Sequence, residues 1–234
     1  MSEEPDRQMT VIEHLRELRR RLIIAGIAIA LGVALSATLL TWPVIGLMTA
    51  PAGVKLAALR PAETFFTYMK VAMVVGTSLA MPVIVSQVLL FVLPGLHKHE
   101  RRYVFIGVPA VTIAFGIGLL FGFFLVIPFA VRFFMGFGGD IIEPVWSVEA
   151  YLSFITAMLF WIGLSFETPL ILFFLAKIGV VNTRLLSHYR RHALVGSFVL
   201  GAFITPTPDP LNQTIVSVPI YLLYELGVLL TRFA

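Results

Sequence analysis

The stretch WIGLSFETPLILFFLAKIG (161–179) holds one carboxylate, Glu167, in a run that is otherwise almost entirely apolar. The run reaches back to 149, which gives an apolar segment over 149–175. About 20 such residues in a helix cross a hydrocarbon core of about 30 Å, so the segment reads as a membrane span. Pro169 has no N–H to offer the carbonyl of Ser165, and a proline inside a helix bends it. A carboxylate, a freed carbonyl and a kink at one level of a span could hold water inside the membrane. Ionisable groups at that depth face the bundle or a water-filled cavity and mark function. Glu167 is therefore expected on a concave face, thinning or hydrating the bilayer there. A protonated Glu167 bonded within the bundle is the simpler alternative.

The rest of the 234-residue chain repeats the pattern. Only 13% of its residues are charged and 59% are hydrophobic, against about a quarter charged in soluble domains. The short alternating segments of a β-barrel are missing. Six apolar segments, at about 22–42, 67–93, 104–128, 149–175, 192–204 and 211–230, predict an all-α polytopic membrane protein with one transmembrane domain over 1–234. The last two are short. At 1.5 Å per residue, 192–204 makes about 20 Å of helix. Two short helices that thin the bilayer are expected there, in preference to a re-entrant hairpin. Pro82, Pro128, Pro169 and Pro219 fall in or at the ends of segments, and bent helices of unequal length suggest a curved wall. Ser147 and Glu149 are placed to cap and charge the start of the fourth segment.

Charge gives the orientation. Thirteen Lys and Arg fall in the N-terminus, 94–103, 176–191 and the C-terminus, and four on the opposite side, so both termini are expected in the cytoplasm. The N-terminus is too long and too acidic before its first apolar run to read as a cleavable signal. With no cysteine, thiol chemistry and disulfides are excluded, and a net charge of +4 is small for a nucleic-acid binder. No hydrolase, kinase or dinucleotide motif and no metal-ligand spacing is present, so neither an enzyme nor a cofactor is expected.

Three groups of residues could carry function. In EHLRELRRRL (13–22), Leu15, Leu18 and Leu22 share one helical face in an amphipathic lead-in over 1–21. Glu17 can pair locally with Arg20 or Arg21. In LPGLHKHERRY (93–103), Glu100 is a single acid in a basic loop and can pair with Arg101 or Arg102. At membrane depth lie Glu167, Gln213 and Glu225, the last within reach of Arg232, while Asp209 sits in the rigid corner TPTPDP (205–210). From spacing alone, local pairing is the simpler reading of Glu17, Glu100 and Glu225.

The ordered motifs carry a resemblance. HLRELRRRL (14–22), the proline of MTAP (Pro51), FFTYMK (65–70), PVIVSQVLLFVLPGLHKHERR (82–102), YLSFITAMLFWIGLSFETP (151–169), TPTPDP (205–210) and YLLYELGVLLTRF (221–233) resemble the TatC family, the multi-spanning core of the twin-arginine protein translocase. The corner departs from the family pattern by one extra residue. The resemblance implies six spanning helices in a concave, glove-like arrangement in a bacterial-type cytoplasmic membrane, with both termini inside. It implies a receptor for the paired-arginine signal peptides of folded cargo, binding through Glu17, Arg19, Leu22, Phe91 and Glu100. Pro51, Glu167, Asp209 and Gln213 match further functional positions. TatA and TatB single-span subunits, further copies of the chain and membrane lipid are the implied partners, and no nucleic acid. A proton-coupled small-solute transporter using Glu167 is the alternative. It predicts a midplane pocket and internal repeats, and the sequence shows neither.

Overall fold

The computed structural model describes residues 11–53, 56–92, 101–136, 145–177, 179–205 and 210–233. Every regular element among them is helical. Helix α1 (Val11–Leu35) runs through a π-helical turn (Ser36–Leu40) into α2 (Thr41–Thr49). From Val11 onward the amphipathic lead-in and the first span are thus one rod. Next come α3 (Glu63–Val92) and α4 (Arg101–Phe121), with a second π-helical turn (Gly122–Val126) leading to α5 (Ile127–Gly136). Helices α6 (Val148–Ser165) and α7 (Thr168–Lys177) form a broken pair, followed by α8 (Thr183–His188), α9 (Arg190–Ile204) and α10 (Pro210–Leu230).

Five helical stretches among the described residues are long and apolar enough to cross a membrane: Ile12–Ala52, Glu63–Phe91, Gly107–Phe134, Val148–Lys177 and Gln213–Phe233. Helix α9 has 15 residues, about 22 Å, and is short for a hydrocarbon core. Helix α10 has 21 residues, about 32 Å, and reaches a full span.

Helix α6 is the centre. Leu152, Ile155 and Met158 are fully buried, and apolar side chains cover nearly its whole circumference, as befits a helix enclosed by others. It packs on α3, α4 and α10. By contrast α1 leans mainly on α3 and, with the π-helical turn after it, leaves Ile23, Ile27, Leu31, Leu35 and Leu39, four residues apart, exposed as a lipid-facing stripe. The α1–α3 crossing is close because both helices have glycine there. A Cβ on Gly32 would fall well inside contact distance of the Gly76 carbonyl, and one on Gly76 would meet the Val33 backbone. The π-helical turn beyond it is stabilised by hydroxyls: Thr41 donates to the Ser36 carbonyl at 2.8 Å, and Tyr68 of α3 donates to the Ala37 carbonyl.

At the end of the molecule where α3 and α6 begin, one carboxylate joins the two. Glu63 accepts from the N–H groups of Leu59 (2.7 Å), Arg60 (3.0 Å) and Glu149 (3.0 Å), and from the Ser147 hydroxyl. Ser147 also caps α6, accepting from the Ala150 N–H at 3.3 Å. Ala57 pairs with the same segment, donating to Trp146 at 2.9 Å and accepting from Val148 at 3.0 Å. Lys70, two turns deeper, donates to Ser153 Oγ at 2.8 Å.

Between α2, α3, α4 and α6 lies an open apolar cavity of about 530 Å³, with Val75, Met81, Phe115, Leu119, Thr156 and Leu159 among its lining.

Candidate functional site

The opposite end, where α1 starts and α3 finishes, gathers the residues singled out in the N-terminal motif. Two contacts dock α1 on α3. His14 stacks on Phe91 with ring centroids 4.4 Å apart and planes at 29°. Two turns along α1 and one turn back along α3, Arg21 Nη1 donates to Gln87 Oε1 at 3.2 Å. The other arm of the same guanidinium, Nη2, donates to Glu17 Oε1 at 2.9 Å. Arg21 Nε is buried and has no hydrogen-bond partner among the described residues. The local pair open to Glu17 is thus made with Arg21, four residues on, where helical geometry brings side chains together. Beside it, Leu15, Leu18, Arg19, Leu22 and Ile23 line a shallow groove, with Arg19 and Leu22 exposed.

Glu100 and Asp209 lie outside the described residues, as do His97 and Lys98. Phe91 stands nine residues before Glu100 in the chain. The site as described therefore unites Glu17, Arg21, Gln87, His14 and Phe91. Of these, only Glu17 and Phe91 were expected from the motifs as binding residues; His14, Arg21 and Gln87 were not. Gln87 is a lone amide in an apolar run, which is the one signal that could have marked it.

Glu167 occupies a break. Helix α6 ends at Ser165, the Phe166 N–H is shared between the carbonyls of Ile162 (3.2 Å) and Gly163 (3.1 Å), and α7 restarts at Thr168. Pro169 then lies in the first turn of α7, where its missing N–H costs nothing. Glu167 is only 3% exposed and does not line the apolar cavity. Gly163, four residues before it, packs on Phe115, and Phe174, seven after it, packs on Gly107. Both are α4 contacts, so α4 packs along the helices on either side of the break. The Glu167 Oε1 has no hydrogen-bond partner among the described residues.

The remaining polar residues serve the α8–α10 corner. Gln213 donates from Nε2 to the Phe198 carbonyl of α9 at 2.8 Å. Glu225 receives Arg190 of α9 at 2.9 Å and the Tyr221 hydroxyl at 2.8 Å. Its cation therefore comes from α9 and not from Arg232. Tyr224 donates to the Leu186 carbonyl of α8 at 2.8 Å. Pro51 lies in a 3-10 turn (Ala50–Ala52) after α2. Among the described residues no group of three or more His, Asp or Glu could hold a metal ion.

Residues 13–219 match the family model "Sec-independent protein translocase protein (TatC)". The Sec-independent protein translocase protein TatC of Carboxydothermus hydrogenoformans is 36% identical over 97% of this chain and 95% of its own. The chloroplastic TATC of Arabidopsis thaliana is 34% identical over 97% of this chain and 67% of its own. A crystal structure of the twin-arginine translocase receptor TatC superposes with a TM-score of 0.85 at 35% identity, covering 94% of this chain and 99% of that one.

Proposed function

The chain belongs to the Sec-independent protein translocase TatC family, and on that premise we propose how its basic end serves as a receptor. It is a multi-pass membrane subunit of the twin-arginine translocation system. In the proposed arrangement both termini are cytoplasmic, because the basic segments collect on that side. The end that joins α1 to α3 then faces the cytoplasm. There it receives the paired-arginine signal peptide of a folded cargo protein. Glu17 and Glu100 supply carboxylates to the two guanidinium groups, since a carboxylate meets the guanidinium fork with two parallel hydrogen bonds. Arg19 and Leu22 border the groove that takes the segment next to the pair, and Phe91 holds the α1 end in place. The chain works by binding and organising, and not by bond-making chemistry. TatA, TatB and further copies of the chain meet the outer apolar surface, where the exposed α1 stripe is one candidate face.

The observation that supports the reading most is the hand Glu17 already extends. It holds a guanidinium at 2.9 Å beside a groove of leucines at the cytoplasmic end of a span. The test is binding of a synthetic paired-arginine signal peptide to the purified chain in lipid nanodiscs. Glu100→Ala should weaken binding about 10- to 150-fold, the size of one charge-assisted hydrogen bond, and Glu100→Arg should abolish it. Glu17→Ala should act in the same direction, and the pair should be non-additive. Normal binding by a folded Glu100→Arg chain overturns the reading.

A further inference from the structure

We propose that the apolar cavity between α2, α3, α4 and α6 holds one acyl chain of a phospholipid, and that Lys70 and Glu149, at its end nearest Glu63, select a phosphatidylethanolamine headgroup. The inference goes beyond the receptor reading and does not depend on it. The shape of the cavity sets the occupant. Its lining runs along α3 from Val74 to Pro82, and along α4 and the π-helical turn after it from Thr112 to Phe124, about 12 and 18 Å of helix. That is close to the depth of one leaflet, half of a hydrocarbon core of about 30 Å. Spread over such a length, a volume of about 530 Å³ leaves a cross-section of about 30–45 Å², whereas a helix about 10–12 Å across fills about 80–110 Å². The slot is too narrow for a helix of another protein and deep enough for a lipid tail.

The lining suits hydrocarbon. Its polar side chains, Ser78, Thr112 and Thr156, each donate to a carbonyl of their own helix, at 2.9, 2.8 and 2.6 Å, so none keeps a donor for a polar guest. Leu47, Leu79, Leu120 and Phe124 line the cavity and are exposed, which leaves it a side open to the bilayer. The headgroup partners stand one turn beyond the lining. Lys70 precedes Val74 and Ser78 on one face of α3, and Ser153 precedes Thr156 and Phe160 on one face of α6. Lys70 Nζ donates to Ser153 Oγ at 2.8 Å, so the ammonium sits where those two faces meet. Glu149 Oε1 is 3.8 Å from the same nitrogen, beyond hydrogen-bond length, and the two side chains are 43% and 35% exposed. Lys70 therefore keeps donors for a phosphate, and Glu149 offers its oxygens to a cation. Phosphatidylethanolamine carries a phosphate and a primary ammonium across a short ethyl link and meets both charges. Phosphatidylglycerol brings its phosphate without a cation for Glu149, and the ammonium of phosphatidylcholine has no N–H to donate.

The test incubates the purified full chain in detergent with equal amounts of dioleoyl phosphatidylethanolamine, phosphatidylglycerol and phosphatidylcholine, and counts lipid adducts by native mass spectrometry. Phosphatidylethanolamine should be retained about tenfold over the other two, the size of one charge-assisted hydrogen bond. Glu149→Gln should bring phosphatidylglycerol level with it, and Lys70→Gln should weaken the retention of both. A Cβ on Gly116, which lines the cavity, would meet nothing within 4 Å among the described residues. Gly116→Leu therefore fills the slot without a clash and should abolish retention of all three lipids. Ser78→Leu blocks the slot from α3 and carries the test if Gly116→Leu does not fold. Equal retention of the three lipids, or an unchanged adduct in a folded, slot-filled variant, overturns the inference. So does conversion of a dimer to monomers by Gly116→Leu, which would make this face a contact between copies of the chain.

Discussion

Glu167 combines near-complete burial, at 3% exposure, with an Oε1 that finds no partner among the described residues. A buried polar atom without a hydrogen bond costs roughly 1–3 kcal/mol, and a leucine of similar size would not carry that cost. Glu167→Leu is therefore expected to unfold at the same or a higher temperature than the native chain while transporting a folded reporter poorly into vesicles. Glu167→Gln should keep much of the transport. A clear loss of stability in Glu167→Leu would show that the carboxylate has a structural partner, and full transport would show that it has no role. At this scale the sequence was informative about which residues matter and less so about what they touch. Glu167 stands out because a carboxylate is rare in an apolar run, and the pairing of Glu17 follows from i,i+4 spacing. The Arg21–Gln87 bond joins residues 66 apart, and Glu63 meets Ser147 across 84. Such partners are set by how helices pack, and no local pattern carries that information.

Between elements, the α1–α3 crossing depends on two missing side chains. Gly32 faces the Gly76 carbonyl, whereas a Cβ on Gly26, six residues earlier on α1, would meet nothing within 4 Å among the described residues. The same substitution should thus have opposite signs on one helix. Gly32→Ala overpacks the crossing and should destabilise by about 1–3 kcal/mol, while Gly26→Ala should be neutral or gain about 0.5–1 kcal/mol of helix propensity. Thermal unfolding of both variants in detergent reads the difference, and equal stability would mean that the helices do not cross at Gly32. The apolar runs were legible as helices because their length alone fixes a membrane span. The break at Phe166–Glu167 was foreshadowed by Pro169. The two π-helical turns were not, since Ser36–Leu40 depends on hydroxyls from Thr41 and from Tyr68 on another helix.

For the whole molecule, the account needs the Glu63 end outside and the Glu17 end inside. Native cysteines are absent, so single labels report cleanly. Leu59 is 64% exposed near the first and Val180 is 62% exposed between α7 and α8. Leu59→Cys should react with a membrane-impermeant maleimide from outside intact cells, and Val180→Cys only after the membrane is opened. The reverse pattern would overturn the orientation. The positive-inside bias could be read from the chain, because charge placement acts on the scale of whole segments. The receptor claim is tested most directly by photo-crosslinking. A signal peptide carrying a photoreactive residue beside its arginine pair is added to the chain in nanodiscs, and the adducts are mapped by mass spectrometry. The account predicts adducts on α1 between His14 and Ile23 and on α3 between Gln87 and Phe91, and a sharp loss when the pair is changed to lysines. Equal crosslinking by the lysine peptide, or adducts confined to the Glu63 end, would contradict it.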